Sequence, residues 1–368
     1  MGREWLRILG GAALLAAATV AGCHRAPRTV VIGYAYSYHL QAVLRVADEE
    51  LALRRSDGLR ISVVYDSTGA GDPAAAEVRR AERFAAVPSI VGVVGPAGSR
   101  AALASAPVYN EAGIVQITPT STSRLLKNAG PWTFNLAPDD STEGEFIGAF
   151  VARRLRALRA SVYYVNDEYG TDLRDGVVAA LARQGVAVLD RVPMDPSSDF
   201  RTLVAASLRR GVPDVVVVAG RERETGAIAR LMREHGVARP VVAGDGAMVL
   251  PTLATVAGPA ADSIYLVAFW VADAPDSLSQ AFVQRFRRAA GRDPESLDAM
   301  NRDAVMLLAD AIHAVGPGRD AVRRYLSELG KIRPPYGGVT GRISFGPDGQ
   351  QRLVMAHLVG GVPRRVTP

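Results

Sequence analysis

The sequence predicts an α/β protein of two lobes, each a parallel sheet covered by helices, and three observations carry that prediction. Short apolar, β-branched runs alternate with amphipathic helical runs over most of the chain, as strands buried on both faces by crossover helices require. The alternation closes at a short strand over 132–136 and restarts at Asp139-Asp140-Ser141, so there are two such units. The 368 residues also exceed what one hydrophobic core supports, since single cores stop growing near about 250–300 residues.

In chain order, residues 1–22 read as a lipoprotein signal peptide. Arg3 and Arg7 make a positive start, and 8–20 is an apolar run too short for a bilayer, which takes about 20 residues. It ends in Val20-Ala21-Gly22-Cys23, which looks like a bacterial lipobox with Cys23 as the lipid-bearing thiol and 23–28 as the lipidated linker. That signal implies export to the periplasm and a membrane anchor, in the inner or the outer membrane. Cys23 is the only cysteine, which leaves none for a disulfide, a nucleophile or a metal.

The first unit reads as strands over 29–34, 59–65, 90–94 and 114–117, with helices over 40–54, 73–86 and 99–112 between them. Asp72-Pro73 marks a helix start, aspartate capping and proline taking the first helical position. The second unit reads as helices over 141–156, 170–184, 199–210 and 223–235, alternating with strands over 161–165, 186–192, 214–219 and 240–243. A strand over 264–269 and three helices (277–290, 296–314, 319–329) follow. The tail, 341–345 and 353–359 around Pro347-Asp348-Gly349, reads as a β-hairpin with an Asp-Gly turn. Helices returning after the second set of strands imply more than one crossing between lobes. A cleft between such lobes is a default site for a small ligand.

Residues 90–122, IVGVVGPAGSRAALASAPVYNEAGIVQITPTST, carry the chemistry. Gly95 and Gly98 let the backbone approach a ligand closely, and Ser99 reads as the N-cap at the positive end of a helix dipole. The next strand delivers Thr118-Pro119-Thr120-Ser121-Thr122 to the same end of the sheet. Two neighbouring strand ends bearing hydroxyls and free amides predict a pocket for a small anion such as a carboxylate. No Gly-Lys-Ser/Thr is present, the glycines miss the dinucleotide spacing, and no acid sits where a ribose needs one.

Other function classes are disfavoured. The net charge of +6 comes from scattered arginines, with Lys127 and Lys331 the only lysines, and no basic run is interleaved with aromatics as nucleic-acid binding requires. The five histidines show no HxxxH or HxH spacing, so a metal is not expected. There is no Gly-x-Ser-x-Gly elbow. Asp139-Asp140 and Glu143-Glu145 read as a helix N-terminus favoured by the dipole, not as a general acid and base. No cofactor is indicated.

Several separated motifs together resemble the type I periplasmic binding proteins, specifically the branched-chain amino-acid-binding group of ABC-importer receptors. They are Val94-Gly95-Pro96 with Ser99; Asn110-Glu111-Ala112-Gly113-Ile114 with Thr118-Pro119 and Thr122; and Asn166-Asp167 with Tyr169-Gly170. Further on come Asp199-Phe200 with Leu203 and Pro213-Asp214-Val215-Val216; Arg302-Asp303-Ala304-Val305 with Ala309, Ala311 and Ile312; and Gly341-Arg342-Ile343-Ser344-Phe345. The resemblance implies two Rossmann-like lobes with parallel sheets joined by a three-stranded hinge, lobe one taking 29–138 plus 268–338 and lobe two 139–267 plus 339–368. It implies closure on an amino acid or similar small carboxylate, without catalysis, and an ABC permease and ATPase as partners.

Carried over, Ser99 and Thr122 would bind the α-carboxylate, with Ser121 in the same hydroxyl turn, and the Thr120 carbonyl would face the α-ammonium. Asp245 would stand against that ammonium and Tyr169 would close over the ligand. Arg221 stands where this group often has an aromatic; it adds a positive charge to the cleft or pairs with Glu222 or Glu224 on the surface. The first loop, from Gly33 to His39, is shorter than the importer pattern. That favours an alternative: a lipoprotein of the same fold that transports nothing and serves as a sensory or cell-wall-synthase-regulating module.

Overall fold

The computed structural model describes residues 28–35, 41–53, 59–66, 73–346 and 352–366; the leader with Cys23, most of the first loop, Asp72 and the 347–349 turn lie outside the described residues. Strands β1 (Arg28–Tyr34), β2 (Leu59–Tyr65), β3 (Ile90–Val94), β4 (Val115–Thr118) and β5 (Thr133–Asn135) form a wholly parallel sheet in the order β2-β1-β3-β4-β5. Helices α1 (Gln41–Leu53), α2 (Pro73–Ala85) and α3 (Ser99–Ala112) are its crossovers. Every residue of β3 and β4 is buried, as their lack of alternation requires.

The second unit begins with α4 (Asp140–Ala149) and continues β6 (Arg159–Val165), α5 (Glu168–Arg183), β7 (Ala187–Met194), α6 (Phe200–Arg210), β8 (Val215–Ala219), α7 (Glu222–Glu234), β9 (Val241–Ala243), α8 (Leu250–Ala257) and β10 (Ile264–Ala268). Its five strands are parallel in the order β7-β6-β8-β9-β10, which repeats the order of the first sheet. In both sheets the chain reverses its direction of winding beside the first strand. There the loops at the strand C-termini diverge and leave a crevice.

The chain then returns to the first sheet. Helices α9 (Ser277–Ala290), α10 (Ser296–Val315) and α11 (Arg319–Glu328) lead to a small ladder of β11 (Tyr336–Gly338) and β12 (Gly341–Ile343). Helix α10 packs on α1, β1 and β3. Its Arg302, 3% exposed, bridges Glu50 at 2.5 Å and Asp303 at 2.8 Å. Asp303 also accepts the Val339 and Thr340 amides at 3.0 and 2.8 Å, fastening the ladder to the helix. Finally β13 (Val354–Val359) and β14 (Val362–Arg365) join the second sheet antiparallel beside β10.

The tail departs from the predicted hairpin. Gly341–Ile343 pairs with Tyr336–Gly338, while Val354–Val359 pairs with β10 and β14. The turn that closes the real hairpin is Gly360-Gly361, with φ of 58° and 77°. Two-residue hairpin turns favour positive φ at both positions, which glycine adopts without strain.

Among the described elements the chain thus changes sheet three times, after β5, after β10 and between β12 and β13. These passages run side by side: the Phe134 and Phe345 rings meet at 4.9 Å, and Ala268 pairs with Val354. Among the described residues no helix is long and apolar enough to cross a membrane.

Candidate functional site

A cavity of about 500 Å³ lies between the two sheets, lined by the loops that follow β3, β4, β6, β8 and β9. These are the strand ends at which a crevice is expected in a parallel sheet. Ser99, Thr120, Thr122, Tyr169, Arg221 and Asp245 all line it, so the structure gathers six of the seven sequence-derived binding residues around one space. A second hollow of about 300 Å³, beside α1 and β2, is lined by element flanks and the start of β2 and receives no strand C-terminus.

On the lobe-one wall, Gly95 has φ +106° and a Cβ there would sit 2.4 Å from the Ala35 carbonyl oxygen, so only glycine fits. Ser99 does not cap α3 as predicted: Gly98 is the N-cap and Ser99 the first helical residue. The Ser99 Oγ instead accepts the amides of Thr122 and Ser123, at 3.3 and 3.2 Å, which ties the two turns together. Both lone pairs are then used, and the remaining capacity of that hydroxyl is to donate. The first amides of α3 likewise have no intrahelical acceptor. This wall offers hydrogen-bond donors to an anionic group.

Ser121 does not line the cavity. It is 1% exposed, and its hydroxyl donates to the carbonyls of Ala97 and Pro96 at 3.0 and 3.3 Å. A hydroxyl turned back onto the neighbouring turn serves to fix the wall. Thr120 donates to Ala97 in the same way at 3.3 Å while still facing the cavity.

The lobe-two wall is acidic. The Tyr169 hydroxyl accepts the Gly246 amide at 2.8 Å and meets the Asp245 carboxyl. The turn approaches that closely because residue 246 is glycine; a Cβ there would lie 2.8 Å from the Tyr169 ring. Asp245 is 6% exposed, and its Oδ1 has no hydrogen-bond donor among the described residues. Burial pushes its carboxyl up to about 6, although the Glu143, Tyr169 and Arg221 contacts pull it back. Glu143, fully buried, accepts the Asp245 amide at 2.8 Å. Burial and the charges of Asp245 and Asp140 hold it well above the ordinary carboxylate range. Asp140, equally buried, is raised to about 8 by burial and then by Asp245.

Arg221 pairs neither with the Glu222 nor with the Glu224 side chain in the manner anticipated. Its guanidinium binds Asp167 at 2.7 Å, half-exposed at the cavity mouth, and lies 5.7 Å over the Tyr169 ring; Glu224 accepts only its backbone amide. Sequence reasoning also missed Glu77 and Arg80 of α2, a buried pair on the lobe-one wall, and the inward course of Asp140 and Glu143. The signal for both was a pair of charges at i, i+3 on a helix, in the first turn for Asp140 and Glu143 and in the interior of α2 for Glu77 and Arg80, which a local reading assigns to the dipole or to solvent.

The lobes touch along one edge of the cavity. Ser123 Oγ donates to Asp172 at 3.1 Å, Arg124 lies 3.5 Å from Asp172, and Arg100 lies 3.9 Å from Glu168. Among the described residues no group of three or more His, Cys, Asp or Glu is arranged to hold a metal ion.

Two lobes whose strand ends converge on one cavity, with donors on one wall and buried carboxyls on the other, define a cleft-type binding protein for small polar molecules. The model of the periplasmic binding protein family matches residues 57–359, and the chain belongs to that family. The chain is 30% identical over 228 residues to an amino acid binding protein of Pseudomonas aeruginosa, covering 61% of this chain and 60% of that protein, less than two thirds of its length. It is 29% identical over 277 residues to Leu/Ile/Val-binding protein homolog 1 of Brucella suis, covering 74% of this chain and 72% of that one. Among solved structures, the substrate-binding protein LivJ of Streptococcus pneumoniae, crystallised with isoleucine, superimposes with a TM-score of 0.81 at 23% identity, over 93% of this chain and 100% of that one. That likeness establishes the α/β fold of two sheets. The family consists of substrate-binding proteins, so this chain holds a ligand without converting it.

Proposed function

We propose that this chain is the extracytoplasmic solute-binding lipoprotein of an ABC importer and that it binds an amino acid in the interlobe cavity. The observation that carries the reading is the opposition of donors and acceptor across one space: the Ser99 hydroxyl and the α3 N-terminus on one wall, the unpartnered Asp245 carboxyl oxygen on the other. A zwitterion satisfies both walls at once, and burying either of its charges unpaired would be costly. The family membership and the names of the relatives agree with this assignment. Ligand bridging the lobes favours the closed form by its differential contacts, and that form is what a permease reads. Cys23 is the proposed site of lipidation, and the permease and ATPase are the proposed partners.

A thermal-shift screen of the twenty L-amino acids, followed by calorimetry on the binder, tests the site. Ser99→Ala and Asp245→Ala are each expected to weaken binding by about tenfold or more, the scale of a lost charge-assisted hydrogen bond, without unfolding the protein. Unchanged affinity in both variants would remove the cavity as the binding site.

A further inference from the structure

Resting on the amino-acid reading above, we propose that Glu143 and Asp140 belong to the part of the site that receives the ligand's cationic end. Together with Asp245 they hold a proton when the cleft is unliganded, and the ligand's ammonium displaces it. Three carboxyls, each no more than 6% exposed, face one another at the junction of α4 with the turn after β9. One ammonium needs one carboxylate, so the cluster holds more acid than a zwitterion requires.

The surrounding charges do not neutralise the excess. Just ahead of α4, its N-cap Asp139 faces the cluster but is engaged by Lys127; from α5 come Asp172 and the Tyr169 hydroxyl. Ahead of α7 stands Arg221, already bound to Asp167, and from lobe one the Thr122 hydroxyl approaches Asp140, neither of whose carboxyl oxygens has a well-formed hydrogen bond among the described residues. With both cations committed elsewhere, three ionised carboxylates in so dry a space would repel strongly, so the cluster retains protons at neutral pH. Asp245 Oδ1 and Glu143 Oε2 have no donor among the described residues, and Asp245 lines the cavity. An ammonium in the cavity supplies the donor that Asp245 lacks, and its charge acts on Glu143 and Asp140 behind it.

Bringing in a positive charge favours the ionised form of its neighbours, so a proton leaves as the ammonium enters. The coupling is reciprocal: protons weaken ligand binding, and affinity rises with pH until the cluster has ionised. The local values agree, with Asp245 at about 6 and Asp140 at about 8. Glu143→Gln is the informative variant. Its amide oxygen keeps the acceptor for the Asp245 N–H, while its NH2 donates permanently where the acid would hold a removable proton.

Affinity for the amino acid found by the screen is measured at about pH 5.5 and about pH 7.5. The wild type is expected to bind more tightly at the higher pH, by up to about tenfold per unit for one displaced proton. Calorimetry in buffers of different ionisation heat should record the released proton. Glu143→Gln should still bind, with a flattened pH dependence and less proton release. Its folding is checked independently: a carboxyl raised by burial opposes folding at neutral pH, so the variant should unfold at a higher temperature than the wild type there. In the infrared, ligand-free wild type should show the carbonyl stretch of protonated carboxyls, weakened in Glu143→Gln and weakened on adding ligand as one proton leaves. Binding that is intact but independent of pH, or absence of that band, overturns the proposal and leaves the amino-acid reading standing. Failure of every amino acid to bind at either pH overturns both.

Discussion

Arg302 shows how a single residue can serve the frame and not the ligand. Its guanidinium lies 3% exposed between Glu50 and Asp303, and Glu50 keeps a second partner in Arg285 at 2.7 Å. Removing one member of a buried ionic cluster leaves uncompensated charge, so Arg302→Met is expected to destabilise by about 3 kcal/mol. Urea unfolding measures this, and ligand affinity should change little. Residues of the cleft differ in how far local rules reveal them. Ser99 and Thr122 were legible because hydroxyls at two adjacent strand ends imply convergence whatever the intervening helix does. The capping role assigned to Ser99 failed by one position, since Gly98 took it. Asp140 and Glu143 were concealed by a sufficient local explanation: acids in a helix first turn are favoured by the dipole. Their actual counterpart, Asp245, lies 102 residues from Glu143 along the chain.

At the scale of elements, strands followed composition closely. The uninterrupted apolar runs at 90–94 and 215–219 became fully buried central strands, because such a run has no polar face to present to water. Antiparallel pairing in the tail was not legible. The Asp-Gly signal at 348–349 is as strong locally as the Gly360-Gly361 turn that β13 and β14 use, and register depends on which partner offers an open sheet edge, here β10. Helix α11 is held by its first residue. The Arg319 guanidinium donates to the Ile90 carbonyl at 2.8 and 3.1 Å and to the Ala112 carbonyl at 3.0 Å, closing the start of β3 and the end of α3. Arg319→Met is expected to cost about 2 kcal/mol, the value of hydrogen bonds from a charged donor. Because these carbonyls lie at the end of β3 remote from the cavity, affinity should stay within about twofold, which separates a framing residue from a binding one.

For the whole molecule, the contacts between lobes along the edge of the cavity set how readily the cleft opens. The Ser123–Asp172 hydrogen bond and the looser Arg124–Asp172 approach span that edge. Arg124 is half-exposed, so screening leaves the ion pair little weight and the hydroxyl contact the larger share. Asp172→Ala should raise the ligand dissociation rate by up to about fivefold, as the loss of one net hydrogen bond favouring the closed form requires. Stopped-flow release measures it; an unchanged rate would show that this edge does not latch the lobes. The two-lobed plan itself was legible from the restart at Asp139. How the lobes are threaded was less so, because crossings are settled by which core a helix can cover.

That threading dictates an order of events for a chain that emerges amino end first. Helix α10 is buried along most of its length and packs on β1 and β3, yet it is made more than two hundred residues after them. Until it arrives, those strands have one flank uncovered, whereas β6 to β10 and their crossover helices are contiguous and can condense as soon as they appear. The half that begins first therefore waits longest for its cover, although β13 and β14 close the second sheet last of all, and any factor that shields nascent apolar surface has its longest task on the oldest strands.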